Sequence, residues 1–88
     1  MIERTVKVVN SLGLHARPAA QLVRLASTFQ SQIELVKDDM VVNAKSIMGV
    51  MMLAAECGST VQLRASGDDA EQALAALEKL VTDGFGET

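Results

Sequence analysis

The chain has no tryptophan, no tyrosine and only two phenylalanines in 88 residues. A platform for stacking single-stranded nucleic acid is therefore missing. Charge of one sign is scarce as well. Eight basic residues stand against eleven acidic ones, for a formal charge of −3, which leaves no field to attract a phosphate backbone. A lone cysteine cannot close an internal disulfide, so nothing points to an oxidising compartment. With one histidine and one cysteine, a metal site would have to lean on carboxylates. There is no CxxC, no HExxH and no glycine-rich phosphate loop, and neither a metal nor a cofactor is expected. The longest apolar run, residues 47–55, falls well short of the ~20 residues of a membrane helix. The first residues, Met1 to Thr5, do not read as a signal peptide. The expectation is a soluble, cytoplasmic protein with no nucleic-acid partner and no membrane insertion.

What is plentiful is small and branched aliphatic side chains: apolar residues make up 49% of the chain, too many for a disordered segment. Their length and spacing fit one domain over residues 1–88. Thr5 to Val9 alternates polar and apolar and reads as a half-buried strand, followed by a turn at Asn10 to Gly13. A helix signature begins at His15. Pro18 suits a first turn, and Ala19, Leu22, Val23, Ala26 and Phe29 form the apolar stripe of a helix of about 13 residues. Ile33 and Leu35 mark a second strand, Lys37-Asp38-Asp39 a polar turn, and Met40 to Val42 a third strand in a hairpin with the second. Ser46 stands where an N-cap belongs, before a short helix weakened by Gly49. Cys57, a small buried or turn residue, precedes a fourth strand at Thr60 to Ala65. Asp68 to Glu71 resembles a capping box ahead of a helix carrying Ala70, Ala73, Leu74, Leu77, Leu80 and Val81 on one stripe, with Gly84 as its stop. The order is β-α-β-β-α-β-α. One-sided strands and striped helices fit an α+β open-faced β-sandwich, a four-stranded antiparallel sheet with three helices on one face.

If chemistry occurs, few residues can carry it. The only histidine, His15, sits at a helix threshold with Arg17 two residues on. The first N–H groups of a helix lack internal partners and carry a partial positive charge, which makes an anion site. That field favours a neutral imidazole, the form able to act as a nucleophile. Arg17 offers donors matched to phosphate oxygens. One histidine, one helix start and one arginine make a minimal phosphoryl acceptor that needs no metal. The plain alternative is a surface histidine filling a cap.

The segment Leu14-His15-Ala16-Arg17-Pro18-Ala19 resembles the phosphorylation-site motif of the HPr family, the histidine-containing phosphocarriers of the phosphoenolpyruvate:sugar phosphotransferase system. The segment Asn43-Ala44-Lys45-Ser46-Ile47-Met48-Gly49-Val50 resembles the same family's second motif, around a regulatory serine. The likeness covers essentially the whole chain in length, element order and spacing. It implies a carrier rather than an enzyme: enzyme I phosphorylates His15 on a ring nitrogen, Arg17 stabilises the phosphate, and the group passes to an enzyme IIA protein or domain. It also implies that an HPr kinase/phosphorylase modifies Ser46, which structurally is a helix cap. Ile47, Met48 and Met51 match the family's docking positions, and Leu14, Ala20 and Arg24 lie near enough by helical geometry to join that surface. A monomer suits such a shuttle. Met52 stands where many kinase-regulated members have a small polar residue.

Three other readings remain open. A nitrogen-type regulatory phosphocarrier would use the same residues with other partners. A regulatory binding module would act through phospho-Ser46 alone, although His15 is present. A soft-metal chaperone would draw on Met48, Met51, Met52 and Cys57 without the CxxC such a site favours.

Overall fold

In the computed structural model, which describes residues 1–87, four strands and three helices alternate as the hydropathy pattern implies. Strand β1 (Ile2–Lys7) leads to α1 (Ala16–Ala26), then β2 (Gln32–Lys37), β3 (Met40–Asn43), α2 (Ile47–Met52), β4 (Thr60–Ser66) and α3 (Ala70–Thr82). A 3₁₀ turn at Gly84–Gly86 follows. The strands form one antiparallel sheet in the order β1-β4-β2-β3. The fold is the expected α+β open-faced sandwich.

Period-two alternation places the two faces. Val6 pairs with Val61, and Leu35 with Leu63, in register. These four, with Ile33 and Ala65, are buried beneath the helices. The opposite face presents polar residues such as Glu3 and Arg64, directly opposed across β1 and β4 and paired at 3.0 Å. Leu22 from α1, Val50 from α2, and Leu74 and Leu77 from α3 complete the core. Each of these large side chains stabilises the fold by roughly 1.5–3 kcal/mol through burial.

Several boundaries differ from the sequence reading, and each has a local cause. Strand β1 starts at Ile2 because Ile2 and Arg4 also face the helices. Arg4 bonds Glu78 of α3 at 2.6 Å and Glu71 at 3.1 Å. The strand stops before Val8, whose N–H and C=O bond to Ser59 and Gly58 instead. Helix α1 has 11 residues rather than 13. Ser27 still bonds Val23 in the helical pattern, but Thr28 and Phe29 tighten the end by bonding Leu25 and Ala26, three residues back, and Phe29 packs against the core from beyond the helix.

The expected capping box at α3 is absent. The N-cap is Asp69, and its carboxylate makes no cap bond. It turns away to accept from the N–H groups of Gln30 and Ser31 and from the Ser31 hydroxyl. Those bonds, the hydroxyl's foremost, hold the Asp69 carboxyl below the usual carboxylate range,. Cys57 lies in the expected turn but is exposed, not buried.

Candidate functional site

The site grows out of the loop between β1 and α1. Gly13 adopts φ +68°, and a Cβ there would stand 2.4 Å from the carbonyl oxygen of Ala55. Only glycine allows this approach. It lets Leu14 N–H bond to that same carbonyl at 2.8 Å, fixing the loop against the segment after α2. His15 follows with extended dihedrals as the N-cap of α1, its carbonyl accepting from Ala19 N–H at 2.9 Å. Its ring makes no cap bond. About a third of the side chain, 36%, is open to solvent. Beneath it the N–H groups of Ala16 and Arg17 begin the helix without intrahelical partners, and Pro18 has none to offer. Arg17 is exposed. A nitrogen base, two backbone donors and a guanidinium thus share one helix end, an arrangement suited to an anion on the ring.

Two residues of this site went unnoticed in the sequence. Glu87 Oε1 lies 3.3 Å from His15 Nε2. Asn10, buried, donates from Nδ2 to Gly13 O at 2.7 Å and to Glu87 Oε1 at 3.1 Å. Burial alone would push the Glu87 carboxyl up. Asn10, the His15 ring and the charge of Arg17 outweigh that and hold it below its ordinary range,. No periodicity marks either residue. Asn10 reads as turn chemistry, and Glu87 is brought in by a reversal of the chain at Gly84–Gly86.

Ser46 is the N-cap of α2, as its position implied. Its Oγ accepts from Gly49 N–H at 3.1 Å. Beyond it Ile47, Met48, Met51 and Met52 are all exposed, Met48 at 74%, while Val50 and Leu53 face the core. Helices α1 and α2 pack side by side. Arg24 is exposed and Ala20 half-buried on α1. Leu14 is a correction. It is only 5% exposed and packs in the core, because the Gly13 turn points its side chain inward. It offers no docking surface.

Among the described residues no three of His, Cys, Asp or Glu gather as a metal site. No described helix is long and apolar enough to cross a membrane.

The sequence profile described as the PTS HPr component phosphorylation site matches residues 2–83. The phosphocarrier protein HPr of Treponema pallidum is 53% identical over 87 residues, covering 99% of each chain. The crystal structure of an HPr from Thermoanaerobacter tengcongensis superposes with a TM-score of 0.96 at 52% identity, covering 100% of this chain and 99% of that one. A structure described as an HPr dimer from the same organism matches with a TM-score of 0.80 at 53% identity, covering 99% of this chain and 100% of that one. With a matching profile over most of its length and relatives at half identity end to end, this chain belongs to the HPr family of phosphocarriers of the phosphotransferase system.

Proposed function

We propose that His15 is the residue that carries the phosphoryl group, received from phospho-enzyme I and delivered to an enzyme IIA protein or domain. The observation that supports this most is the ring itself. It stands at the N-cap of α1, about a third open to solvent, and makes no capping bond. A ring nitrogen attacks phosphorus, the N–P bond forms as the donor's bond to phosphorus breaks, and the electron pair returns to the donor. Arg17 and the first helical N–H groups meet the phosphate oxygens. The site lies on an open surface, which suits a group held briefly and passed on.

Ile47, Met48 and Met51 form the partner-docking patch, with Arg24 and the half-buried Ala20 on the neighbouring helix. Methionine adapts to more than one partner surface. Ser46 is the regulatory residue, phosphorylated by an HPr kinase/phosphorylase. A phosphate at a helix start is electrostatically tolerated, yet it sets nearly two negative charges beside the docking patch. The protein works as a monomer, one face serving successive partners.

Incubation with phosphoenolpyruvate and enzyme I tests the reading. An acid-labile, base-stable phosphate is expected on the native chain and none on His15→Ala. A label that persists in the alanine variant removes His15 from the role. Adduct formation at Ser46 with ATP and the kinase is a separate acid-stable readout. Sedimentation of the chain alone tests the monomer against the dimer of the Thermoanaerobacter relative.

A further inference from the structure

All five methionines of the chain are on its surface. Met1, Met40, Met48, Met51 and Met52 are each exposed. None belongs to the core, which Leu, Val, Ile, Ala and Phe85 fill. Methionine otherwise ranks with the residues most often buried. Three of the five stand in α2, a helix of six residues. Met48, Met51 and Met52 follow at i, i+3 and i+4, the spacing of one helix face, while Val50 and Leu53 take the core side. Met48 is 74% exposed, Met52 64% and Met51 43%.

The thioether is the group on this face that a mild oxidant changes. The sulfur lone pair attacks the outer oxygen of a hydroperoxide. The S–O bond forms as the O–O bond breaks, and the remaining oxygen keeps that electron pair and takes the hydroperoxide's proton, leaving as an alcohol or as water. Sulfur gives up two electrons and the peroxide gains them. The sulfoxide is polar and chiral where the thioether was apolar and pliant. Its oxygen only accepts hydrogen bonds, and a partner surface matched to an apolar patch offers no donor, which penalises docking. The fold loses nothing comparable, because no methionine packs in the core. His15 and Arg17 stand at the start of α1 and keep their chemistry.

We propose that Met48, Met51 and Met52 are a redox-sensitive modification site. Hydroperoxide oxidation of their sulfurs weakens docking of enzyme I and enzyme IIA and leaves the fold and the phosphoryl acceptor in place. A dithiol-dependent sulfoxide reductase reverses the change, releasing the oxygen as water and closing a disulfide on the reductase. This rests on the reading of the α2 patch as the docking surface.

The test treats the full chain with hydrogen peroxide, removed before phosphoenolpyruvate and untreated enzyme I are added. A Cys57→Ser background is used, because Cys57 is exposed and thiols oxidise as well. Peptide mass mapping follows oxygen uptake at each methionine. Conversion of the three in α2 is expected to raise the KM for enzyme I about tenfold, with the limiting charging rate within about twofold and the urea midpoint almost unmoved. Sulfoxide reductase restores the KM. In the triple variant Met48→Leu, Met51→Leu, Met52→Leu, peroxide leaves that variant's own KM where it was, although Met1 and Met40 still oxidise. Met48→Glu separates the two readings. If it raises the KM, then three sulfurs that resist peroxide in the folded chain, a KM indifferent to their oxidation, a rise matched by loss of the fold, or a rise that survives in the leucine variant overturns the inference alone. If Met48→Glu leaves the KM unchanged, the docking reading falls and this inference with it.

Discussion

His15 and Glu87 are separated by 72 positions in the chain and by 3.3 Å in space, and Asn10 ties Glu87 to the Gly13 carbonyl beside them. A buried amide that serves two acceptors is costly to remove. Asn10→Ala is expected to lower stability by about 1–3 kcal/mol, measured by urea unfolding, and to leave Glu87 without its tether. Gly13 is stricter still. A methyl group there meets the Ala55 carbonyl at 2.4 Å in a left-handed conformation. Gly13→Ala is therefore expected to cost at least about 2 kcal/mol and to slow charging of His15, because relieving the clash moves the loop that places the ring. A variant of native stability and rate would show that the loop yields freely. Both residues were legible in the sequence only as turn formers.

At the scale of elements, two acidic or polar residues at helix starts play different parts. Ser46 caps α2 through the Gly49 N–H, and Ser46→Ala is expected to lower stability by about 1 kcal/mol, read from the denaturation midpoint. Asp69 instead clamps the turn between α1 and β2. Its carboxyl is depressed in the folded chain, so the unfolded state binds protons first as pH falls. The clamp contributes fully above the ordinary Asp value of about 4 and is lost as pH drops through the folded value. Asp69→Asn is expected to flatten the acid limb of the stability profile below about pH 4; an unchanged limb would deny the clamp its part. The elements themselves were legible because alternation and the 3.6-residue stripe survive folding in Thr60–Ser66 and Ala70–Thr82. The capping box expected from Asp68 to Glu71 does not form: a capping box is a local pattern, whereas the N-cap Asp69 finds its partners 38 and 39 positions away. Leu14 was misplaced for a similar reason. Helical geometry set it near the site, but the Gly13 turn that buries it precedes the helix.

For the whole molecule, the sheet hides one side of each helix and leaves α2 with exposed methionines beside the start of α1. Met48 is the most exposed of that group, and exposed positions contribute little to folding. Met48→Glu is expected to change stability by less than about 0.5 kcal/mol while weakening the KM for enzyme I and enzyme IIA severalfold; equal loss of stability and of docking would mark it as a packing residue. The motif around His15 was legible because it is contiguous. The Asn10–Glu87 pair was not, because it exists only once β1, α1 and the turn after α3 have closed on one another.

The chain's only histidine makes the central claim open to direct observation. Ring signals of His15 can be followed by NMR as phosphoenolpyruvate and enzyme I are added and then enzyme IIA. The account predicts that the signals shift on charging and return when the phosphoryl group is passed on. Phosphate uptake that leaves the His15 signals unmoved would contradict it.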